Sequence, residues 1–233
     1  MTSPILLLGL TLGMRHGTDP DHLAAIDGLT RIRPRKMNGV YFALGHGIVV
    51  ILLSVGIGEL LAARLSFLGP WTLISIGAFN VWRLLRAHSH PLDAQRPIVA
   101  QPLLLGMLLA AGFETSSQLS ALILAGQTNP WILGAAFSGG MVLVDGLDGF
   151  LAANTQRLAR SGGRNAKLAS MTLGVLVVLF SFGLAGSELA GVELNRIALP
   201  LGLALFAAVL GIRVWARSDR PTDYVKPLAI EEG

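Results

Sequence analysis

The feature that most constrains this chain is a succession of apolar segments long enough to cross a lipid bilayer. About 20 apolar residues are needed to span the hydrocarbon core. Seven segments reach this length: 4–29, 38–63, 67–85, 98–125, 130–155, 168–189 and 197–216. Because lipid offers no partner for backbone polar groups, such segments form helices. The sequence therefore predicts an all-α integral membrane protein with about seven transmembrane helices.

The composition agrees with a membrane protein and disfavours several functions. Of the 233 residues, 52% are hydrophobic and 14% are charged, whereas charged residues approach about a quarter of a soluble domain. The formal net charge is +4, but the basic residues lie in short clusters between apolar segments, which disfavours a nucleic-acid partner. The chain has no cysteine, so thiolate metal ligands and thiol catalysis are excluded.

The basic residues predict an orientation. Fifteen of the 18 lysines and arginines, Arg213 among them, follow odd-numbered spans; two lie in other loops and Arg15 lies inside the first span. Lys and Arg concentrate on the cytoplasmic side. We therefore expect an external N-terminus and a cytoplasmic C-terminus. The spans form a single multi-pass domain over 1–217 in the cell (plasma or inner) membrane, and residues 218–233 form a polar cytoplasmic tail. Spans one to three and spans four to six each begin with a glycine-interrupted polar helix, and an odd number of spans per unit would make these two units inverted repeats.

Ionisable residues inside these spans form the second constraint. A charged side chain at the centre of a membrane helix costs about 2.5–3.5 kcal/mol on insertion scales, so such residues face the bundle interior. At about 1.5 Å per residue, four spans place them in one inner-to-middle layer: His16, His22, His46, Glu114, Asp145 and Asp148. Imidazole and carboxylate without thiolate suit divalent transition metals, and the stability order favours nickel over cobalt, iron and manganese.

The first span carries the densest group, RHGTDPDHLAAIDG. On a straight helix His16 would lie about 140° from Asp21 and about 120° from His22. Pro20 has no amide hydrogen for the carbonyl of His16, and Gly17 softens the same turn. We expect a kink or an unwound turn between Gly17 and Asp21 that lets His16, Asp21 and His22 converge.

Four stretches, in order along the chain, resemble signatures of the nickel/cobalt transporter family. RHGTDPDHLAAID resembles the H-x4-D-H helix that is commonly written RHA-x-DADHI. FALGHGIVV resembles FF-x-x-GHSTVV, AGFETSSQ resembles LG-x-D/E-TA-x-E, and GMVLVDGLD resembles GM-x-x-x-D-T/S-x-D. The resemblance covers roughly residues 13–148 and is to the compact, urease-associated type of member. Departures include Gly47, where the family has serine, and Gln118, where it has glutamate.

The resemblance implies a metal-recognition helix and a path through the bundle. The candidate metal ligands are His16, Asp19, Asp21, His22 and His46. The candidate transport-path residues are Glu114, Gln118, Asp145 and Asp148. Arg15 is predicted to be a structural counter-ion to Asp19 or Asp145, since guanidinium does not ligate metals. Asp27 is expected either to be wetted at the cytoplasmic end of the span or to pair with Arg31 one turn on.

The predicted function is a permease that moves Ni²⁺, with Co²⁺ as the other candidate, inward across the membrane. Its expected partners are the metal ion and the lipid bilayer, with no permanently bound cofactor, no enzymatic activity and an open oligomeric state. The alternatives are an exporter of the same fold and a membrane acyltransferase, because His16 and Asp21 satisfy an H-x4-D pattern. An acyltransferase works at the membrane surface and does not need additional histidine and carboxylates at matched depth.

Overall fold

The computed structural model describes residues 3–54, 67–85, 100–112, 129–192 and 195–218. In these ranges the chain forms eight α-helices and no β-strand, so the predicted all-α class is confirmed for them. The helices are α1 (Ser3–His16), α2 (Pro20–Ile32), α3 (Asn38–Ser54), α4 (Leu68–Leu85), α5 (Ala100–Gly112), α6 (Pro130–Arg160), α7 (Arg164–Leu189) and α8 (Asn195–Ala216).

Length and hydropathy indicate which described helices can cross a membrane. Three of them qualify, over Pro130–Arg160, Arg164–Leu189 and Leu199–Ala216. Two shorter apolar helices, Asn38–Leu52 and Gln101–Ala111, lie in the predicted second and fourth spans, each of which continues into residues that the structure does not describe. These helices agree with a membrane protein, while the count of seven and the orientation stay predictions.

The first predicted span is divided into α1 and α2. The connecting turn is tight, with the amide of Asp19 donating to the carbonyl of His16 at 2.9 Å. Pro20 is the first residue of α2, a position where a missing amide hydrogen costs no helical hydrogen bond. The expected interruption is confirmed, and it falls at residues 17–19.

Glycines set how closely the central helices approach. Helix α6 packs against both α1 and α3, and α3 also packs against α5. A methyl group on Gly13 of α1 would overlap the carbonyl oxygen of Phe137 on α6, and one on Gly39 of α3 would overlap that of Asp145. Small residues of this kind let helix backbones meet inside a membrane bundle. The close approach brings the polar residues of α1, α3 and α6 into one layer.

The outer surface of the bundle is apolar and its centre is polar. Large side chains such as Leu179, Leu143 and Val214 are more than half exposed, whereas several histidines and aspartates are almost completely buried. This arrangement suits a bundle surrounded by lipid, because a charged side chain that faces hydrocarbon is costly.

Candidate metal centre

Three histidines from three helices meet inside the bundle. His16 ends α1, His22 lies in the first turn of α2, and His46 lies in the middle of α3. All three side chains are completely buried, and their ring centroids lie 4.5 to 5.1 Å apart. One potential ligand atom from each lies within 4.8 Å of the other two. Among the residues that the structure describes, this is the one group of three or more side chains able to hold a metal ion.

Two carboxylates orient two of the imidazoles. Nδ1 of His16 lies 2.8 Å from Oδ2 of Asp19, and Nδ1 of His22 lies 3.0 Å from Oδ2 of Asp145. A carboxylate on one ring nitrogen fixes the tautomer and turns the other nitrogen toward a metal. Both Nε2 atoms are thereby left for the centre of the cluster.

The distance between two of the Nε2 atoms fits a metal site. Nε2 of His16 lies 3.2 Å from Nε2 of His46, and Nε2 of His22 is buried without a hydrogen-bond partner in the described structure. With metal–nitrogen bonds of about 2.0–2.1 Å, neighbouring ligand nitrogens lie about 3.0–3.4 Å apart. His16 and His46 therefore already stand at the separation that one shared cation requires, and His22 offers a ligand atom within 4.8 Å of one on each of them.

The break between α1 and α2 makes this convergence possible. On one continuous helix the two histidines would point about 120° apart, yet their ring centroids are 4.6 Å apart. Aromatic rings close the sides of the cluster, with Phe42 5.1 Å from His22 and Phe137 5.6 Å from His16. These walls exclude water, which strengthens electrostatic interactions inside the site.

The other predicted metal and path residues take different positions. Asp19 and Asp145 contact histidines rather than lining the centre of the cluster. Asp21 is buried at the start of α2 but does not belong to the three-residue group. Asp148 pairs with an arginine. Glu114 and Gln118 lie outside the described residues.

The expected ion pair from Arg15 to Asp19 or Asp145 is not formed. Both carboxylates pair with histidines, and Nε of Arg15 is buried without a hydrogen-bond partner in the described part of the chain. Arg15 immediately precedes His16, so its side chain leaves the helix about 100° away from the side that faces the cluster. The buried carboxylates of Asp27 and Asp148 find their arginine partner elsewhere in the sequence.

Arg213, which was expected among the cytoplasmic charges, supplies a buried positive charge instead. Its side chain is 1% exposed; Nη1 donates to Oδ1 of Asp148, and Nη2 donates to Oδ1 of Asp27 at 3.1 Å. Asp27 also accepts from Nε of Arg31 at 2.8 Å, so the expected pairing one turn on is confirmed. Counting Arg213 among the cytoplasmic charges was wrong. Its apolar neighbours in GIRVW were the available signal of burial.

A hydroxyl group beside Gly47 comes from α6. Gly47 stands where the family signature has serine, and a Cβ on Gly47 would lie 2.6 Å from Oγ of Ser138. Ser138 donates to the carbonyl of Gly134 at 2.7 Å. A side chain at position 47 would therefore compete with Ser138 for the same space, which accounts for the glycine.

Comparison with known proteins finds similarity to proteins named for nickel and cobalt transport. The family described as high-affinity nickel-transport protein matches residues 4–70, the part of the chain that carries all three histidines. The hydrogenase nickel incorporation protein HupN of Bradyrhizobium diazoefficiens is 28% identical over 254 residues, covering 84% of this chain and 66% of HupN. The high-affinity nickel transport protein of Cupriavidus necator is 25% identical over 250 residues, covering 83% of this chain and 71% of that protein.

A shorter match concerns cobalt. The cobalt transport protein NhlF of Rhodococcus rhodochrous is 46% identical over 54 residues, which is 21% of this chain and 15% of NhlF. No solved structure matches the chain. The chain spans about two thirds of the length of the first two relatives, and both the matched family and the Cupriavidus protein are named for nickel transport. The family match on the histidine-bearing helices and the relatives along most of the chain show that the chain is similar to nickel and cobalt transport proteins.

Proposed function

We propose that this chain is a permease that carries Ni²⁺, and Co²⁺ as a second substrate, inward across the cell membrane. The ion binds to Nε2 of His16, His22 and His46. The observation that carries the proposal is the fully buried cluster of three imidazoles, two of them already oriented by carboxylates. The relatives named for nickel and cobalt transport support the choice of cargo.

Charge balance supports a divalent cation. Burying an uncompensated ion in a protein interior is costly. Asp19 and Asp145 each stand one imidazole away from the proposed ion, and together their two negative charges offset a dication. A nitrogen-rich site also binds nickel more strongly than cobalt, iron or manganese, following the general stability order.

The burial of the cluster implies that the helices move during transport. All three rings are inaccessible to solvent, so an ion enters and leaves only when the surrounding helices open. The turn between α1 and α2 is the proposed hinge, since interrupted helices form ion sites in transporters of alternating access. In the proposed topology, seven spans with an external N-terminus form one domain over 1–217, and the tail over 218–233 is cytoplasmic.

The membrane potential supplies a driving force for inward movement. It is worth about 2.3 kcal/mol per charge for every 100 mV, or about 4.6 kcal/mol for a dication. We propose that Glu114, Gln118, Asp145 and Asp148 serve the transport path; Glu114 and Gln118 lie outside the described residues. Secondary transport of this kind needs no nucleotide-binding loop, and the sequence contains none.

The acyltransferase alternative receives no support from the geometry. Such an enzyme needs the histidine of H-x4-D to be oriented by the aspartate of the same motif. His16 is instead hydrogen-bonded to Asp19, and its ring is completely buried. The matched proteins are also metal transporters rather than enzymes.

Uptake of radioactive nickel into proteoliposomes tests the proposal. The purified full chain is reconstituted with a potential that is negative inside, and ⁶³Ni²⁺ accumulation is measured with cobalt, zinc and manganese as competitors. We expect saturable uptake that is lost in His22→Ala and His46→Ala, with cobalt as the strongest competitor. The matched control is His88→Ala/His90→Ala, which removes the other two of the five histidines and leaves uptake intact.

Two results would contradict the proposal. If His22→Ala and His46→Ala both took up nickel as fast as the wild type, these histidines would not belong to the transport site. If nickel left the vesicles but never entered them, although both its gradient and the membrane potential favoured entry, the exporter would be favoured.

A further inference from the structure

Apart from the histidine cluster, a polar cavity lies at the end of the bundle where α2 and α6 end and α7 begins. Its volume is about 260 Å³, and three guanidinium groups line it, those of Arg31, Arg83 and Arg160. Arg31 is already paired with Asp27. No carboxylate is among the described residues that line the cavity, so it carries an excess of positive charge.

Two of these arginines are held close together. Nη2 of Arg83 and Nη2 of Arg160 donate to the same carbonyl oxygen, that of Arg31, at 3.1 and 3.2 Å. Neither arginine takes part in an ion pair among the described residues. A guanidinium has five N–H donors, so capping the last carbonyls of α2 uses only part of the donor capacity of each side chain.

Two buried amides in the cavity wall also lack partners in the described structure. Gln156 is 6% exposed, and its Nε2 has no hydrogen-bond partner, while its Oε1 accepts from Ser170 at 3.1 Å. Asn80 is 1% exposed; its Nδ2 donates to the carbonyl of Ile76 at 2.9 Å, and its Oδ1 is unpartnered. A buried polar atom without a partner is unfavourable. The wall therefore offers one spare donor and one spare acceptor beside the guanidinium groups.

We propose that this cavity binds a phosphate group. The guanidinium groups and Nε2 of Gln156 donate to its oxygens, and Oδ1 of Asn80 accepts from a hydroxyl of the ligand. Guanidinium forks match phosphate geometry, and basic pockets between membrane helices bind anionic lipid headgroups. In the proposed topology, the helix ends at this cavity lie at the depth of the lipid headgroups. The phosphate group can therefore come from a lipid such as phosphatidylglycerol or from free phosphate in the adjoining water.

Lipid retention by the purified full chain tests the site without reference to metal transport. Native mass spectrometry in detergent compares phosphatidylglycerol with phosphatidylcholine, and thermal unfolding is followed with each lipid and with inorganic phosphate. We expect wild-type protein to retain phosphatidylglycerol preferentially and to unfold at a higher temperature with it. Stabilisation by inorganic phosphate alone would assign the site to the free ion.

Two variants, one that removes a charge and one that removes an amide donor, locate the binding to the cavity. Arg160→Gln and Gln156→Leu should each weaken phosphatidylglycerol binding about tenfold, the loss expected for one charge-assisted hydrogen bond. The matched control is Arg157→Gln, on the same helix, which donates to the carbonyl of Pro34 and does not line the cavity. It should bind as the wild type does.

Three results would overturn the proposal. The first is equal retention of the two lipids by wild-type protein together with no effect of phosphate. The second is an equal loss of binding in Arg157→Gln and Arg160→Gln, which would indicate general surface attraction. The third is unchanged binding in a folded Arg160→Gln protein, which would leave the arginines as helix caps only. The wild-type comparison remains decisive if a variant fails to fold.

Discussion

Replacing Asp145 with asparagine tests whether a carboxylate outside the cluster controls the affinity for metal. Asp145 is completely buried, and its Oδ2 holds Nδ1 of His22 at 3.0 Å. Asparagine has nearly the same shape, so the substitution removes the charge and leaves the packing in place. His22 then keeps at most a neutral amide acceptor for Nδ1 in place of the carboxylate that directs its Nε2 toward the ion.

The size of the effect follows from this geometry. An ion on Nε2 of His22 would lie about 6.5 Å from the Asp145 carboxylate, and a dication at that distance gains about 5 kcal/mol at an effective dielectric constant of about 20. Rearrangement of the site and the desolvation of the carboxylate reduce that gain. Loss of such a carboxylate weakens metal affinity by about 10- to 100-fold, or about 1.4–2.7 kcal/mol. For Asp145→Asn we therefore expect nickel affinity to fall by about 10- to 100-fold rather than by the full electrostatic gain.

Isothermal titration of the purified full chain with Ni²⁺ measures this loss. The matched control is Thr155→Val on the same helix, because Thr155 is equally buried and bonds only to the carbonyl of Leu151 at 3.1 Å. Thr155→Val should bind nickel as the wild type does. A dissociation constant for Asp145→Asn within twofold of the wild-type value, in a folded protein, would refute the orienting role of Asp145.

Two further predictions concern stability. Arg213→Met leaves the carboxylates of Asp27 and Asp148 buried without this counter-ion, so we expect a loss of about 3–5 kcal/mol in unfolding free energy; an unchanged thermal transition in detergent would contradict the network. Gly39→Ala should lower stability by about 1–3 kcal/mol, because the new methyl group overlaps the backbone of α6. Its control, Gly211→Ala, meets no atom within 4 Å and should unfold like the wild type, as scanning calorimetry would show.

Local chemistry accounts for what the sequence predicted well. Pro20 and Gly17 weaken the helix within one turn of each other, and the break lies at residues 17–19. The depths of His16, His22 and His46 follow from the helical rise. A layer of histidines near one level of the bundle could therefore be predicted from spacing and from the cost of burying charge.

Pairings between distant helices could not be predicted in this way. Asp145 lies 123 residues from His22 in sequence, and no periodic pattern relates two residues on different helices. Asp19 rather than Asp21 reaches His16, because the turn between α1 and α2 brings the i and i+3 side chains together. Arg213 was assigned by a rule that counts basic residues near span ends, and that rule cannot distinguish a loop arginine from a buried one.

The most direct test of the account is the coordination of nickel in the loaded protein. X-ray absorption spectroscopy of His88→Ala/His90→Ala, purified without an affinity tag, leaves only His16, His22 and His46 as sources of imidazole. We predict outer-shell scattering from three imidazoles, falling to two in the same protein with His46→Ala added. Nickel bound by oxygen ligands alone, or three-imidazole scattering that persists after His46→Ala, would contradict the proposed metal site.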